Sequence, residues 1–340
     1  DAVVVKLFHL KGYIDFTARH PRSFLNKSEY KGFELFRRTQ RRVIIMGSLQ
    51  KGDGHYQGLD QDFTKQVIAS MGKETNPRLR EVLTSFIQHI HDFAREVDLT
   101  TDEWMAGVNM INWAGQMSND RRNEGQLLCD IIGLESLVDD ITNRVATKNG
   151  APGTATAILG PFWRADTPIR ANGSTIALKC PDDGELAFMY GQVTCSNTGK
   201  PVANASVDVW QASTNGLYEQ QDADQPEHNL RGKFFTDEEG RYGFYCLRPT
   251  PYPVPGDGPA GKLLDLLHRH HYRPAHIHLI VQSEGFKSVT TQIFDKDSDY
   301  LEDDSVFAVK DGLTVEFTER KGDSKAAKEL EYNIKLVSEK

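Results

Sequence analysis

His276 and His278 stand two residues apart in Arg273-Pro-Ala-His276-Ile-His278-Leu-Ile-Val281. Ala275, Ile277, Leu279 and Val281 alternate with their neighbours, the pattern of a half-buried strand. Positions i and i+2 of a strand share a face, so both imidazoles project the same way and make a good pair of metal ligands. The same pattern also suits two polar residues on a solvent face. A mononuclear centre needs one or two more ligands from other elements, and no acidic residue neighbours the histidines within the strand. Two tyrosines stand in suggestive loops. Tyr218 follows a strand through Gln211-Ala-Ser-Thr-Asn-Gly216-Leu, and Tyr252 sits in Arg248-Pro-Thr-Pro-Tyr252-Pro-Val-Pro255-Gly-Asp-Gly-Pro259. The prolines restrict the backbone and leave the Tyr252 ring little entropy to lose. A free phenol, with a pKa of about 10, is a poor ligand at neutral pH. A tightly held trivalent cation reverses that by deprotonating it, and phenolate, a hard anion, favours iron(III) over zinc. Taken singly, each tyrosine reads as an ordinary packed ring.

Two kinds of element must position these groups. Residues 61–145 are helical in pattern: Val82, Leu83, Phe86, Ile87, Ile90, Phe93, Ala94 and Val97 follow three- and four-residue spacing. Pro77 precedes this helix, where proline is tolerated. Thr100-Thr-Asp-Glu103 has capping-box spacing and opens another helix, for which Trp104, Val108, Ile111 and Trp113 supply apolar surface. A further helix over 126–138 is bent or ended by Gly133. His89 and His91, two apart on a helix, face different sides and read as surface or boundary residues. Near residue 148 the texture changes to turn chemistry, and short alternating segments follow: 186–195, 205–210, 234–236, 242–246, 276–282, 289–294 and 313–317. Asp237-Glu-Glu-Gly240 reads as a hairpin loop. The fold class is therefore α+β, a helical domain followed by an antiparallel β-sandwich or barrel. The Lys/Glu-rich end beyond Arg320 reads as solvated and partly helical.

The chain has 340 residues, a net charge of −8 and four cysteines. No apolar run approaches the roughly 20 residues of a membrane span, and the acidic balance gives no support to nucleic-acid binding. Cys129, Cys180, Cys195 and Cys246 form no CxxC pair, so they read as reduced thiols, and the expected compartment is the cytoplasm. Residues 1–45 hold ten Lys or Arg and four Asp or Glu. Their acids argue against a mitochondrial presequence, Met46-Gly-Ser-Leu reads as a natural translation start, and this basic leader has no assigned role.

In combination these stretches resemble the intradiol ring-cleavage dioxygenases, from the helices near residue 60 to about residue 320. Residues 191–218 with Val207-Asp-Val-Trp210, the proline-rich loop around Tyr252, Arg273-Pro-Ala-His276-Ile-His278 and Thr291-Gln292-Ile293 carry the resemblance. It implies a mononuclear non-haem iron(III) held by Tyr218, Tyr252, His276 and His278. It implies that a bidentate catecholate displaces Tyr252, which then accepts a substrate proton, and that dioxygen cleaves the ring between its two oxygenated carbons. It places Arg273 and Gln292 around the reacting ring, where a guanidinium stabilises developing negative charge. The domains it implies are a helical linker and dimerisation domain over 46–150 and a catalytic sandwich over 151–325, followed by a charged tail over 326–340. The partners are a small aromatic diol or triol, dioxygen and a second copy of the chain, with a phospholipid at the dimer interface.

Gly160-Pro-Phe162-Trp163, Tyr252-Pro-Val-Pro255 and Asp304-Ser-Val306-Phe307 resemble the hydroxyquinol 1,2-dioxygenase branch more than the catechol branch. Leu127 and Asp130 match residues lining that branch's pocket, with Ile158, Gly160, Pro161, Phe162, Val254, Pro255 and Val306 as walls. Asp130 would meet the third hydroxyl of benzene-1,2,4-triol and penalise plain catechol; the alternative is a solvent-facing helix residue. Rival expectations are a catechol 1,2-dioxygenase, a non-catalytic β-sandwich binding module and a zinc hydrolase using the two histidines.

Overall fold

The computed structural model describes residues 61–146 and 152–339; the basic leader lies outside them. The chain divides into two compact units, Asp1–Gly107 and Val108–Lys340. In the first, α1 (Gln61–Ala69) packs on α2 (Pro77–Glu96). Pro77 occupies the first turn, and the Asn76 side chain accepts from the amides of Arg78 and Leu79, satisfying donors that a helix start leaves open. His91 Nδ1 hydrogen-bonds Thr64 Oγ1 at 3.0 Å and so ties the two helices together. The capping box forms as expected: Thr100 N donates to Glu103 Oε2 and Glu103 N to Thr100 Oγ1, opening α3 (Thr101–Met117). On α2 the residues Val82, Phe86, Ile90, Phe93 and Val97 make one stripe, and all five are exposed, Phe86 to 57%.

The second unit contains α4 (Glu124–Ile131) and α5 (Leu134–Ala146), separated at Gly133, and two five-stranded sheets. One sheet centres on β1 (Leu186–Cys195). The other contains β2 (Ser206–Trp210) and β3 (Arg231–Phe235). Strand β4 (Arg241–Leu247) pairs antiparallel with β1, and β5 (Tyr252–Pro253) makes a separate ladder after it. Helix α6 (Pro259–Leu266) leads to β6 (Tyr272–Arg273), the partner of β5. Strands β7 (His276–Gln282), β8 (Val289–Asp295) and β9 (Thr314–Val315) complete the second sheet in the order β3-β2-β7-β8-β9. The short β10 (Thr318–Glu319), β11 (Lys328–Glu331) and β12 (Ile334–Leu336) complete the first. One face of each sheet contributes to a single apolar cluster: Ala187, Met189, Val193, Phe244 and Cys246 from the first, and Val207, Val209, Phe234, Ile277, Leu279, Val281 and Ile293 from the second. Period-two alternation puts those residues on one side of each strand. No helix among the described residues is long and apolar enough to cross a membrane, and all four cysteines are free.

Leu127 and Ile131 of α4 are buried with Ile158, Val254, Leu264, Phe294 and Val306 within the second unit. Three expectations need correcting. The end of the chain is neither helical nor simply solvated. Leu330, Tyr332, Ile334 and Leu336 alternate into the main core, and β11 and β12 run parallel to β1. The pairing is therefore not wholly antiparallel, since β8 and β9 are also parallel. Asp237-Glu-Glu-Gly240 is not a hairpin: the strands it joins, β3 and β4, belong to different sheets, so the turn is a corner between them.

Candidate metal centre

Strand β7 carries His276 and His278 on the face opposite Ile277 and Leu279, which fill the core. Both imidazoles are only 2% exposed, which excludes the solvent-face alternative. One rung of the sheet sets their surroundings. Arg231 of β3 stands opposite Trp210 of β2, Trp210 opposite His278, and His278 opposite Gln292 of β8. The Trp210 indole stacks on the His278 ring, with centroids 4.8 Å apart and planes 11° from parallel. In the small ladder, Tyr252 of β5 lies directly opposite Arg273 of β6. Tyr218 arrives on the loop after β2, whose Gly216 has φ +79°; a Cβ there would stand 2.8 Å from the Tyr252 Cβ, so only glycine permits this approach.

Four donor atoms converge in a chain of short contacts. His276 Nε2 is 3.2 Å from Tyr252 Oη, Tyr252 Oη is 2.9 Å from Tyr218 Oη, and Tyr218 Oη is 3.1 Å from His278 Nε2. His276 Nδ1 donates to the Pro274 carbonyl at 2.7 Å, which leaves the lone pair on Nε2 facing the cluster. Burial, with Arg273 second, holds His276 well below the usual imidazole range; burial and then His276 do the same to His278. Both rings are thus neutral donors at pH 7. Burial and then Tyr252 push Tyr218 well above the usual phenol range, and burial pushes Tyr252 up against the opposing pull of Arg273. A first-row cation bonded to each donor at about 2 Å requires donors roughly 3 Å apart, and these spacings meet that requirement. Two neutral imidazoles and two phenols that only a strong Lewis acid would ionise suit a hard trivalent cation.

Arg273 is 4% exposed and no surface ion pair. Its Nε and Nη2 meet Asp304 Oδ1 and Oδ2 at 3.0 and 3.2 Å, Nη1 lies 2.9 Å from His276 Nε2, and Nη2 donates to Gln292 Oε1 at 2.6 Å. Gln292 Nε2 in turn donates to the Ile158 carbonyl at 2.7 Å, so this amide bridges Arg273 to the 155–162 segment. Asp304 and Trp210 were not predicted as site residues. Asp304 lies 31 residues from Arg273, in the Asp304-Ser-Val306-Phe307 run already singled out by resemblance, and a tryptophan at the strand position level with His278 could also have been noticed. Asp166, Glu227 and His228 also bring ligand atoms together, but they are largely exposed and Arg164 bonds both carboxylates, so a protein cation serves that cluster.

Comparison with known proteins agrees with this geometry. The family model described as dioxygenase matches residues 158–338, and that described as catechol dioxygenase N terminus matches residues 76–150. An intradiol ring-cleavage dioxygenase of Aspergillus niger is 48% identical over 281 residues, 83% of this chain and 89% of its own length. A catechol 1,2-dioxygenase of Candida albicans is 47% identical over 83% of this chain and 93% of its own. The crystal structure of a hydroxyquinol 1,2-dioxygenase from Pseudomonas putida DLL-E4 superposes with a TM-score of 0.72 at 35% identity, covering 84% of this chain and all of that one. The chain belongs to the intradiol ring-cleavage dioxygenases.

Beside the four donors this dioxygenase has a small recess. Leu127, Asp130, Ile158, Gly160, Pro161, Phe162, Val254, Pro255, Arg273 and Val306 line it, together with Tyr218, Tyr252 and His278. The nine residues that the sequence analysis placed around a substrate thus lie together with Arg273. Gly160 has φ +76°, and a Cβ there would stand 3.0 Å from His278 Cε1, so the 155–162 segment passes against the imidazole with no room for a side chain. Asp130 is 1% exposed, not solvent-facing; no N–H or hydroxyl donor reaches either oxygen, and the Glu135 carboxyl is its hydrogen-bonding neighbour. Burial, then Glu135 beside it, push its carboxyl up to about 10. Glu135 itself accepts from Leu159 N at 2.8 Å and from Gln126 Nε2 at 2.9 Å. At neutral pH, therefore, the recess of this dioxygenase presents a neutral carboxylic acid, able to donate and to accept.

Proposed function

We propose that this dioxygenase opens hydroxyquinol, benzene-1,2,4-triol, between its adjacent hydroxyl-bearing carbons with dioxygen, giving 3-hydroxy-cis,cis-muconate and its tautomer maleylacetate. Tyr218, Tyr252, His276 and His278 would hold a single non-haem iron(III), in keeping with the family's chemistry. When bound, that ion draws electron density from a chelated catecholate and opens a ring carbon to dioxygen. The side chains do the rest. Tyr252 Oη, between Tyr218 Oη and His276 Nε2, is placed to receive a proton from a substrate hydroxyl. The Arg273 guanidinium, aligned by Asp304 and Gln292, offsets negative charge developing on the ring. Leu127, Ile158, Pro161, Phe162, Val254 and Val306 exclude water and leave Asp130 as the acid that receives the third hydroxyl.

The buried, protonated Asp130 carries this substrate assignment. Glu135 can accept its proton, but no donor reaches its oxygens; the third hydroxyl of the triol supplies one and plain catechol does not, a difference of about 1–3 kcal/mol. Oxygen uptake on the triol and on catechol tests it, with iron content and the red phenolate-to-iron absorption measured on the same samples. Asp130→Ala should lower the triol-to-catechol ratio of kcat/KM by roughly 10- to 100-fold. An unchanged ratio removes Asp130 as the selector. The similarity to the Candida albicans catechol 1,2-dioxygenase favours catechol as the second reading, and a wild-type ratio favouring catechol would establish it. The exposed stripe on α2 is apolar enough to pair with a second copy of itself, so the first unit is proposed as the dimerisation element.

A further inference from the structure

A second buried guanidinium lies against one of the proposed ligands. Arg231 is fully buried, and its guanidinium carbon lies 5.7 Å from the centre of the Tyr218 ring. Its Nε donates to Glu219 Oε2 at 2.7 Å, its Nη2 donates to Gln220 Oε1, and its Nη1 has no hydrogen-bond partner. Glu219 also accepts from Arg164 Nη1 at 2.9 Å. Arg164 in turn bonds Asp166 and Glu227 at the surface. One carboxylate is thus shared by two guanidiniums, and the buried one is left with an unsatisfied N–H group. Burying a cation costs several kcal/mol unless charge nearby compensates it. Against a neutral phenol the contact is only a long cation–π approach, a poor return for an incompletely bonded arginine in the protein interior. Against a phenolate it is an ion pair with an anion that the metal itself creates.

We propose that Arg231 is a positioning residue that sets the electron-donor strength of the Tyr218 phenolate toward the metal, through its charge lying against that ring. The inference rests on the reading of Tyr218 as an iron ligand. The charge is permanent, because guanidinium does not lose its proton in proteins. It lowers the filled orbitals of the ring beside it. Tyr218 therefore donates less electron density than an isolated phenolate, and the metal stays a stronger Lewis acid toward substrate. Tyr252 has Arg273 opposite it in the β5–β6 ladder, so each phenol has its own buried guanidinium. The geometry behind this comes from the sheet: Arg231, Trp210 and His278 occupy one rung across β3, β2 and β7, so the arginine is held on the same rigid row as a ligand.

The visible spectrum of iron-loaded enzyme tests the proposal, because the phenolate-to-iron band reports the energy of the donor ring. Arg231→Met removes the positive charge, raises the filled ring orbitals and should move the band to longer wavelength. Glu219→Gln removes the opposing negative charge, leaves Arg231 in place and should move it to shorter wavelength. Arg231→Lys keeps the charge and should restore the band toward its wild-type position. A purely structural role does not give shifts of opposite sign. The proposal is overturned if both iron-loaded variants keep the wild-type band or if both move the same way. Should Arg231→Met fail to fold or to take up iron, Glu219→Gln decides alone: a shift to shorter wavelength supports the proposal and an unmoved band overturns it. Colourless wild-type protein is a separate outcome, since it removes Tyr218 as a ligand before Arg231 is tested.

Discussion

Asp130→Asn separates the charge of this residue from its shape, and its effect on stability can be worked through from the structure. The Asp130 carboxyl is moved from 3.8 to about 10 by burial and by Glu135. Between those values the folded protein keeps a proton that the unfolded chain releases. Folding then takes up a proton, so stability falls as pH rises, by about 1.4 kcal/mol per pH unit. The loss begins above the unfolded value and is complete only at the folded one. From pH 5 to pH 7 it amounts to about 2.7 kcal/mol. Asparagine has nearly the same shape and does not titrate, and every other ionisable group is common to both proteins. Urea unfolding of wild type and Asp130→Asn at the two pH values should show the variant's advantage widening by roughly 2–3 kcal/mol on going to pH 7. A difference that stays constant refutes the reasoning, because it means Asp130 is already ionised in the folded protein at pH 5. It would also remove the protonated acid on which the triol assignment depends.

Three further outcomes are expected. Tyr218→Phe should lose the visible phenolate-to-iron colour or the iron itself, and an unchanged spectrum at full iron content would falsify its place among the ligands. Gly160→Ala forces a left-handed backbone on a Cβ residue, at about 1–2 kcal/mol, and presses that Cβ onto His278; it should release iron faster to a chelator, and wild-type retention contradicts the close contact. Phe86→Glu places a charge in the exposed stripe of α2 and should convert a dimer to monomer in sedimentation at micromolar concentration, whereas an unaltered mass moves the interface elsewhere.

Local pattern made several parts of this protein legible in the one-dimensional chain. The alternation around His276 and His278 placed two imidazoles on one face of a strand. Pro77 and the Thr100–Glu103 box marked helix starts that the structure reproduces. Those signals are short-range: each is complete within a few residues, where backbone periodicity and capping act. The resemblance supplied the rest of the donor set and the pocket walls, because no local rule links Tyr218 to His278 across 60 residues. The tail shows a signal present but overridden. Leu330, Tyr332, Ile334 and Leu336 alternate as a strand should, yet the charges between them suggested a solvated end.

Tertiary structure alone decided which neighbours these segments met. Asp237-Glu-Glu-Gly240 has the same turn residues whether the strands it joins pair with each other or part into two sheets, and only the packed core chose the corner. Asp304 became the clamp of Arg273, and Trp210 the stacking partner of His278, through sheet register and loop return. Asp130 gives the clearest case. As sequence it is one acid on a short helix; buried against the Glu135 carboxyl with no donor to its oxygens, it becomes a neutral acid in the recess. Ionisation depends on solvent exclusion and on charges brought near by the whole fold. Residue type and spacing therefore named the chemistry available here, and three-dimensional packing determined the protonation state in which it is held.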